Sequence, residues 1–323
     1  MQMIKTLSAA VVAVGLVVSA GNAHAAGGGL KSPNQEWSFQ GIFGTYDQAA
    51  LQRGFQVYKN VCAACHGLSR IAFRNLEDLG YNEDEIKALA SEFEVTDGPN
   101  EEGEMFDRTA IPADRWPSPF PNKQAAQFAN GGAYPLDLSL ITKARAGGGD
   151  SAIRVSMLQP TGFPIGADYV YALLTSYEDN VSESVLETVF DLVYQERVNA
   201  YEIALKDYDK KIEAGKEAEK PEAPEAVTSI EDIGLQDTAN FNAYYPGYGL
   251  AMAPPLYEEA VEYADGTPAT VSQMAHDVAT FLTWAAEPEL NERKNMGLKV
   301  ILFLIVFTAM LYALKRKIWA DLH

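Results

Sequence analysis

Gln52-Arg53-Gly54-Phe55-Gln56-Val57-Tyr58-Lys59-Asn60-Val61-Cys62-Ala63-Ala64-Cys65-His66 is the stretch on which the reading of this chain turns. It ends in C-x-x-C-H. Two thiols held two residues apart have the reach to add across the two vinyl groups of a haem. The residue that follows then lies under the iron and supplies an imidazole ligand. Phe55, Val57, Tyr58 and Val61 upstream of the motif predict a short helix leading into it. Two other uses of C-x-x-C make different demands. A thioredoxin-like dithiol needs a strand before it and a long helix after it, and the surrounding sequence has little strand pattern. A zinc pair needs two more Cys or His ligands. The chain has only two cysteines, and its other histidines are His24, His276 and His323.

Working outward, 323 residues with 47% apolar and 21% charged side chains can build a core and do not describe a disordered chain. Lys and Arg number 25 against 44 Asp and Glu, a net charge of −19. That balance argues against nucleic acid, whose phosphates need a basic surface, and favours basic partners. Two cysteines exclude a multi-disulfide scaffold and a four-cysteine zinc site.

The two ends set the expected compartment. Residues 1–25 carry Lys5, an apolar run from Leu7 to Val18 and then Ala23-His24-Ala25. That is the pattern of a cleaved secretory signal peptide. Met296 to Leu314 is an apolar run interrupted only by Lys299. At ~1.5 Å per residue it extends about 28 Å, enough to cross the hydrocarbon layer. Lys315-Arg316-Lys317 follows, with Trp319 at interfacial depth. The positive-inside rule puts this tail, 315–323, in the cytoplasm. The body of the chain, 26–290, then faces a periplasm-like space.

A second axial ligand has five candidates: Met105, Met157, Met252, Met274 and His276. Val271, Met274, Val278, Phe281, Leu282 and Ala285 share one face of a predicted helix, which makes Met274 a core residue. His276 falls near the opposite face and reads as a solvated surface histidine. Met105 lies in an acidic, glycine-containing loop. Met252 sits in Gly249-Leu250-Ala251-Met252-Ala253-Pro254-Pro255-Leu256. Its small neighbours permit close approach to a flat ring, and the two prolines reduce the entropy lost in fixing the loop.

The chain resembles the cytochrome c1 family, the haem-carrying subunits of ubiquinol–cytochrome c oxidoreductase. The resemblance runs in order through Trp37-Ser38-Phe39, Gly41-Ile42-Phe43-Gly44, the 51–58 helix and the haem motif. It continues through Ile111-Pro112-Ala113-Asp114-Arg115-Trp116-Pro117 and Asn130-Gly131-Gly132-Ala133-Tyr134-Pro135-Leu136-Asp137-Leu138-Ser139-Leu140. Phe241-Asn242-Ala243-Tyr244-Tyr245-Pro246-Gly247, Met252-Ala253-Pro254-Pro255-Leu256 and the run from Asp277 to Glu289 complete it, before the C-terminal anchor.

The resemblance implies a mainly α fold: a class-I-like c-type cytochrome domain with long loops and an acidic insertion, plus one C-terminal transmembrane helix. It implies one haem c attached through Cys62 and Cys65, with His66 and Met252 as axial ligands. Asn130 and Pro135 would line the haem, and Arg145 would pair with a propionate. Such a chain is a one-electron carrier with no catalytic substrate site of its own. Its implied partners are cytochrome b, a Rieske iron–sulfur protein and a soluble or tethered cytochrome c, in a dimeric complex of the bacterial inner membrane. Other readings are a free-standing anchored cytochrome, a haem enzyme or sensor with an open iron site, and an anchored thiol–disulfide oxidoreductase.

The sequence also departs from shorter family members. Residues 178–240 form an acidic insertion with seventeen acids against six bases. Within it 185–212 is expected to be helical and 213–228, rich in Glu, Lys, Ala and Pro, mobile. Residues 83–107 hold ten acids and one Lys. A second, smaller insertion spans 147–166. With both cysteines assigned to haem, no disulfide staples these segments.

Overall fold

The computed structural model describes residues 29–145 and 166–320. The leader read at 1–25, Met157, most of the 147–166 insertion and the last three residues lie outside the described residues.

The frame starts with helix α1 (Gln48–Asn60). Asp47 caps it, its Oδ1 accepting from the amides of Ala49 at 2.9 Å and Ala50 at 3.3 Å. That satisfies donors the helix cannot satisfy itself. Four helices follow: α2 (Glu83–Ala90), α3 (Lys123–Ala129), the single turn α4 (Ile141–Ala144) and α5 (Gly166–Thr175). After the long α6 (Glu183–Glu213) come α7 (Val271–Ala286) and α8 (Leu290–Trp319). Helix α7 is the hub, packed against α1, α4 and α5. Of the expected 271–285 face, Met274, Val278, Phe281, Leu282 and Ala285 are buried and Val271 is half-buried. Gly54 sets how closely α1 crosses α7. A Cβ there would collide with the backbone oxygen of Asp277 and lie 2.7 Å from the Phe281 Cβ. Around this crossing Phe55, Tyr58, Phe73, Phe93, Trp116 and Phe281 meet ring to ring.

Two features go beyond the sequence reading. The acidic run contains a hairpin, β1 (Glu94–Asp97) paired antiparallel with β2 (Phe106–Thr109). Its cation is Arg108, one residue beyond the acidic window. The guanidinium reaches Asp97 at 2.5 Å and Asp114 at 2.6 Å. The expected helix in the long insertion appears as α6, but the segment after it does not hang free. Ala218, Pro221 and Pro224 are half-buried and Val227 is buried. Burial at every third residue is the repeat of an extended, polyproline-like chain lying on a surface. Val227 joins Val189 and Val193 of α6 with Phe241, Ala243 and Tyr248 in a second apolar cluster. Phe241 lies in, and Tyr248 immediately precedes, the short ladder of β3 (Asn240–Phe241) and β4 (Gly249–Leu250). The molecule is mainly helical, as expected. Helix α8 is long and apolar enough to cross a membrane, with mean hydropathy 2.3 in a window of which none is buried.

Candidate functional site

Helix α1 delivers the motif. It ends at Val61, and a 3₁₀ turn at Cys62–Ala64 follows. The Cys62 carbonyl accepts from the amides of Cys65 at 3.1 Å and His66 at 2.9 Å, so both cysteines and the histidine occupy one tight turn. The Tyr58 hydroxyl, from the last turns of α1, donates to the His66 carbonyl at 3.0 Å. The imidazole Nδ1 lies 2.7 Å from the Leu136 carbonyl oxygen. A carbonyl only accepts, so Nδ1 carries the proton and Nε2 presents its lone pair. Burial lowers the His66 pKa against the opposing effects of Leu136 and Asp137, which favours the neutral ring.

The segment after α3 is stitched along the motif. Leu138 donates its amide to Gly67 at 2.9 Å. Asp137 accepts from the Ser69 amide at 2.8 Å, and Ser139 Oγ accepts from the Arg70 amide at 3.1 Å. This ladder holds Pro135, half-buried, beside the His66 contact. Asn130 ends α3 and donates its Nδ2 to Ala126 at 2.7 Å. Its amide therefore stabilises a helix end, and its Oδ1 is not used in that bond. Arg145 ends α4, exposed, close enough to Tyr169 to hydrogen-bond its phenol. Burial raises the Tyr169 pKa and Arg145 opposes the rise. Met252 lies just past β4, half-buried, at the edge of the same core that Cys62, Leu138 and Ile141 border. The buried Tyr177 hydroxyl donates to its carbonyl at 3.1 Å.

The rejected ligand candidates are accounted for. Met274 is fully buried in α7, and Met105 is exposed near β2. His276 is not a solvated surface residue. It is half-buried and stacked on Trp37, with ring centroids 4.5 Å apart, and its Nε2 lies 3.2 Å from the Glu36 carbonyl. The aromatic neighbour that removes it from solvent, Trp37, is distant in the sequence, which no local pattern shows.

Burial pushes the Cys62 thiol up to about 12, with the neighbouring Cys65 adding to the rise. A redox dithiol needs the opposite, a thiolate at neutral pH. Among the described residues no group of three or more His, Cys, Asp or Glu is arranged to hold a metal ion, so the zinc reading finds no further ligands there. Tyr134, Leu136 and Leu140, on and beside the strip bonded to His66, are 46%, 45% and 39% exposed. Exposed apolar side chains on the strip that bonds the imidazole, with two thiols on the same turn as that ring, fit a flat apolar group carrying iron. Sequence reasoning gave no role to Tyr58, Asp137, Tyr169 or Tyr177. The first two lay inside quoted motifs, whereas the hydroxyl contacts of all three tyrosines appear only in three dimensions.

A Cys-Cys-His turn borne by a helical frame of this kind defines a class, the c-type cytochromes. Residues 37–322 match the Cytochrome C1 family. The chain is 44% identical to cytochrome c1 of Rhodospirillum rubrum, over 97% of this chain and 96% of that one. It is 41% identical to the cytochrome b/c1 of Bradyrhizobium diazoefficiens over 99% of its own length, but spans only 40% of that larger protein. It is 43% identical, over 85% of its length, to a mitochondrial cytochrome c1 heme protein of Arabidopsis thaliana, 68% of which is covered. The chain belongs to the cytochrome c1 family, and with that family goes a haem c.

Proposed function

We propose that this chain is the haem-bearing electron carrier of a quinol–cytochrome c oxidoreductase, taking electrons from a Rieske iron–sulfur protein and passing them to cytochrome c. Cys62 and Cys65 would form the thioethers, and His66 Nε2 and Met252 Sδ would ligate the iron. A haem with imidazole and thioether ligands supplies one-electron chemistry at raised potential and leaves no iron position open to substrate. The observation that carries the reading is the 2.7 Å bond from His66 Nδ1 to Leu136, which aims Nε2 as a ligand. Tyr58 steadies the His66 carbonyl and Tyr177 the Met252 carbonyl. Pro135 and Asn130 would flank the ring. Arg145 would pair with a propionate, as guanidinium does with carboxylate.

Haem attachment of this kind belongs outside the cytoplasm. We assign 1–25 as a leader, 26–290 as the periplasmic domain and 296–314 as the span. Residues 315–323 form the cytoplasmic tail, supported by its three consecutive cations. Cytochrome b is the proposed membrane partner. The name of the Bradyrhizobium relative joins b and c1, and a Candida albicans relative at 39% identity is called a cytochrome b-c1 complex catalytic subunit. The net charge of −19 would steer a basic cytochrome c, so its association rate should fall as salt rises. The complex is proposed to be dimeric.

Met252→Leu tests the ligand set. Redox titration should show a lower midpoint potential, and the ferrous protein should bind carbon monoxide while keeping covalent haem. An unchanged potential with no carbon monoxide binding would remove Met252 from the site.

A further inference from the structure

We propose that the Gly41-Ile42-Phe43-Gly44 turn is a membrane-surface contact, with Ile42 and Phe43 seated in the interfacial layer beside the point where α8 enters the bilayer. The inference rests on the reading of α8 as a span. Phe43 is 78% exposed and Ile42 46% exposed, adjacent on one turn. The turn is built to hold them out. Gly41 takes a φ of +72°, which an L side chain rarely adopts. A Cβ at Gly44 would collide with the Gln40 backbone, so the turn closes tightly on its own start.

Its two roots are fixed to the base of α8. Phe39 and Tyr46 are buried and in ring contact at 5.3 Å. The Tyr46 hydroxyl donates to the Glu287 carbonyl at 3.1 Å, and its amide to Asn291 Oδ1 at 3.2 Å. Lys294, itself buried in α8, donates from Nζ to the carbonyls of Phe39 at 2.5 Å and Gly44 at 2.9 Å. One ammonium therefore closes both ends of the turn. It does so two residues before Met296, about 3 Å along the helix axis from the start of the apolar run. Two apolar side chains on a rigid turn at that height meet the headgroup boundary, where aromatic residues are favoured. Continuity with the apolar helix is what selects lipid as the occupant.

The test uses the full haem-loaded chain in its native complex, reconstituted into phospholipid nanodiscs. With Cys62 and Cys65 engaged by haem, Phe43→Cys gives this chain one free thiol for a nitroxide label, compared with the same complex lacking that cysteine. Accessibility to oxygen and to a water-soluble nickel chelate is then compared with labels at Ile305→Cys, inside the span, and Glu102→Cys, in the acidic hairpin. Position 43 should favour oxygen over the chelate, falling between the other two. Adding Lys294→Met should move it toward the value at 102. A label at 43 that matches 102 overturns the proposal. So does one closed to both reagents, which would mean a protein partner covers the turn. A label at 305 open to the chelate overturns the span reading, and the proposal with it. A lipid-like 305 beside an aqueous 43 overturns the proposal alone.

Discussion

At the scale of single residues, hydrogen bonds hold the carbonyls of both proposed ligands, His66 and Met252. Tyr177 is buried and its hydroxyl serves the Met252 carbonyl. Tyr177→Phe keeps the ring and removes one donor, a loss of about 0.5–1.5 kcal/mol. Carbon monoxide should bind the ferrous variant faster than wild type and more slowly than Met252→Leu, measured by flash photolysis. Identical rates in variant and wild type would show that the hydroxyl does not steady the loop. Cys62, Cys65 and His66 stand out as candidates because haem attachment requires three residue types at fixed spacing. Met252 enters the proposal through the ordered family motifs. Tyr177 was not legible, because 75 positions separate it from Met252 and its own neighbourhood reads as an ordinary helix end.

At the scale of elements, the long insertion proves to be tied to the site's surroundings. Val189 and Val193 of α6 and Val227 of the returning chain cover Phe241 and Tyr248, which lead into the Met252 loop. The outer half of α6 does not share that cluster, and Ile203 there is 69% exposed. Replacing residues 201–220 by a short Gly-Ser link should therefore leave the haem spectrum and potential unchanged. Removing 178–240 altogether should uncover Phe241 and Tyr248 and alter both. Equal spectra in the two deletions would mean that the second cluster does not support the loop. Composition alone favoured a mobile 213–228, since acid, lysine and proline resist core formation. What it did not reveal is that Val227, at the end of that segment, joins Val189 and Val193 of α6.

At the scale of the whole molecule, one ion network ties the two ends of the domain. Arg53 on α1 reaches Asp277 on α7 at 2.9 Å and Asp265, in the loop before α7, at 2.8 Å. Asp277 is fully buried and takes a further bond from Gln273 at 3.0 Å. Asp265 is held down to about 2 by the Thr267 amide first and then by Arg53. A carboxylate with a depressed folded pKa stabilises the fold above its unfolded value of about 3.9 and loses that stabilisation as pH falls through the folded one. Thermal melting of Asp265→Asn should begin below wild type at neutral pH. The gap should stay constant down to about pH 5 and close between about pH 4 and pH 2. A gap that widens on acidification would reverse the assigned sign.

The sequence by itself determined the family and the broad plan: a C-x-x-C-H turn, helices before and after it, an acidic body and an apolar C-terminal helix. These follow from local spacing and composition, which need no knowledge of what lies across the chain. Tertiary structure decided the proton position on His66, the donor held to Met252, the stacking of His276 on Trp37 and the clamp of Lys294 on the 41–44 turn. Each depends on groups that are distant in sequence and become neighbours only when α1, α4, α5 and α8 gather around or beside α7. Close packing brings these donors to their acceptors, because leaving either unpaired away from water is costly.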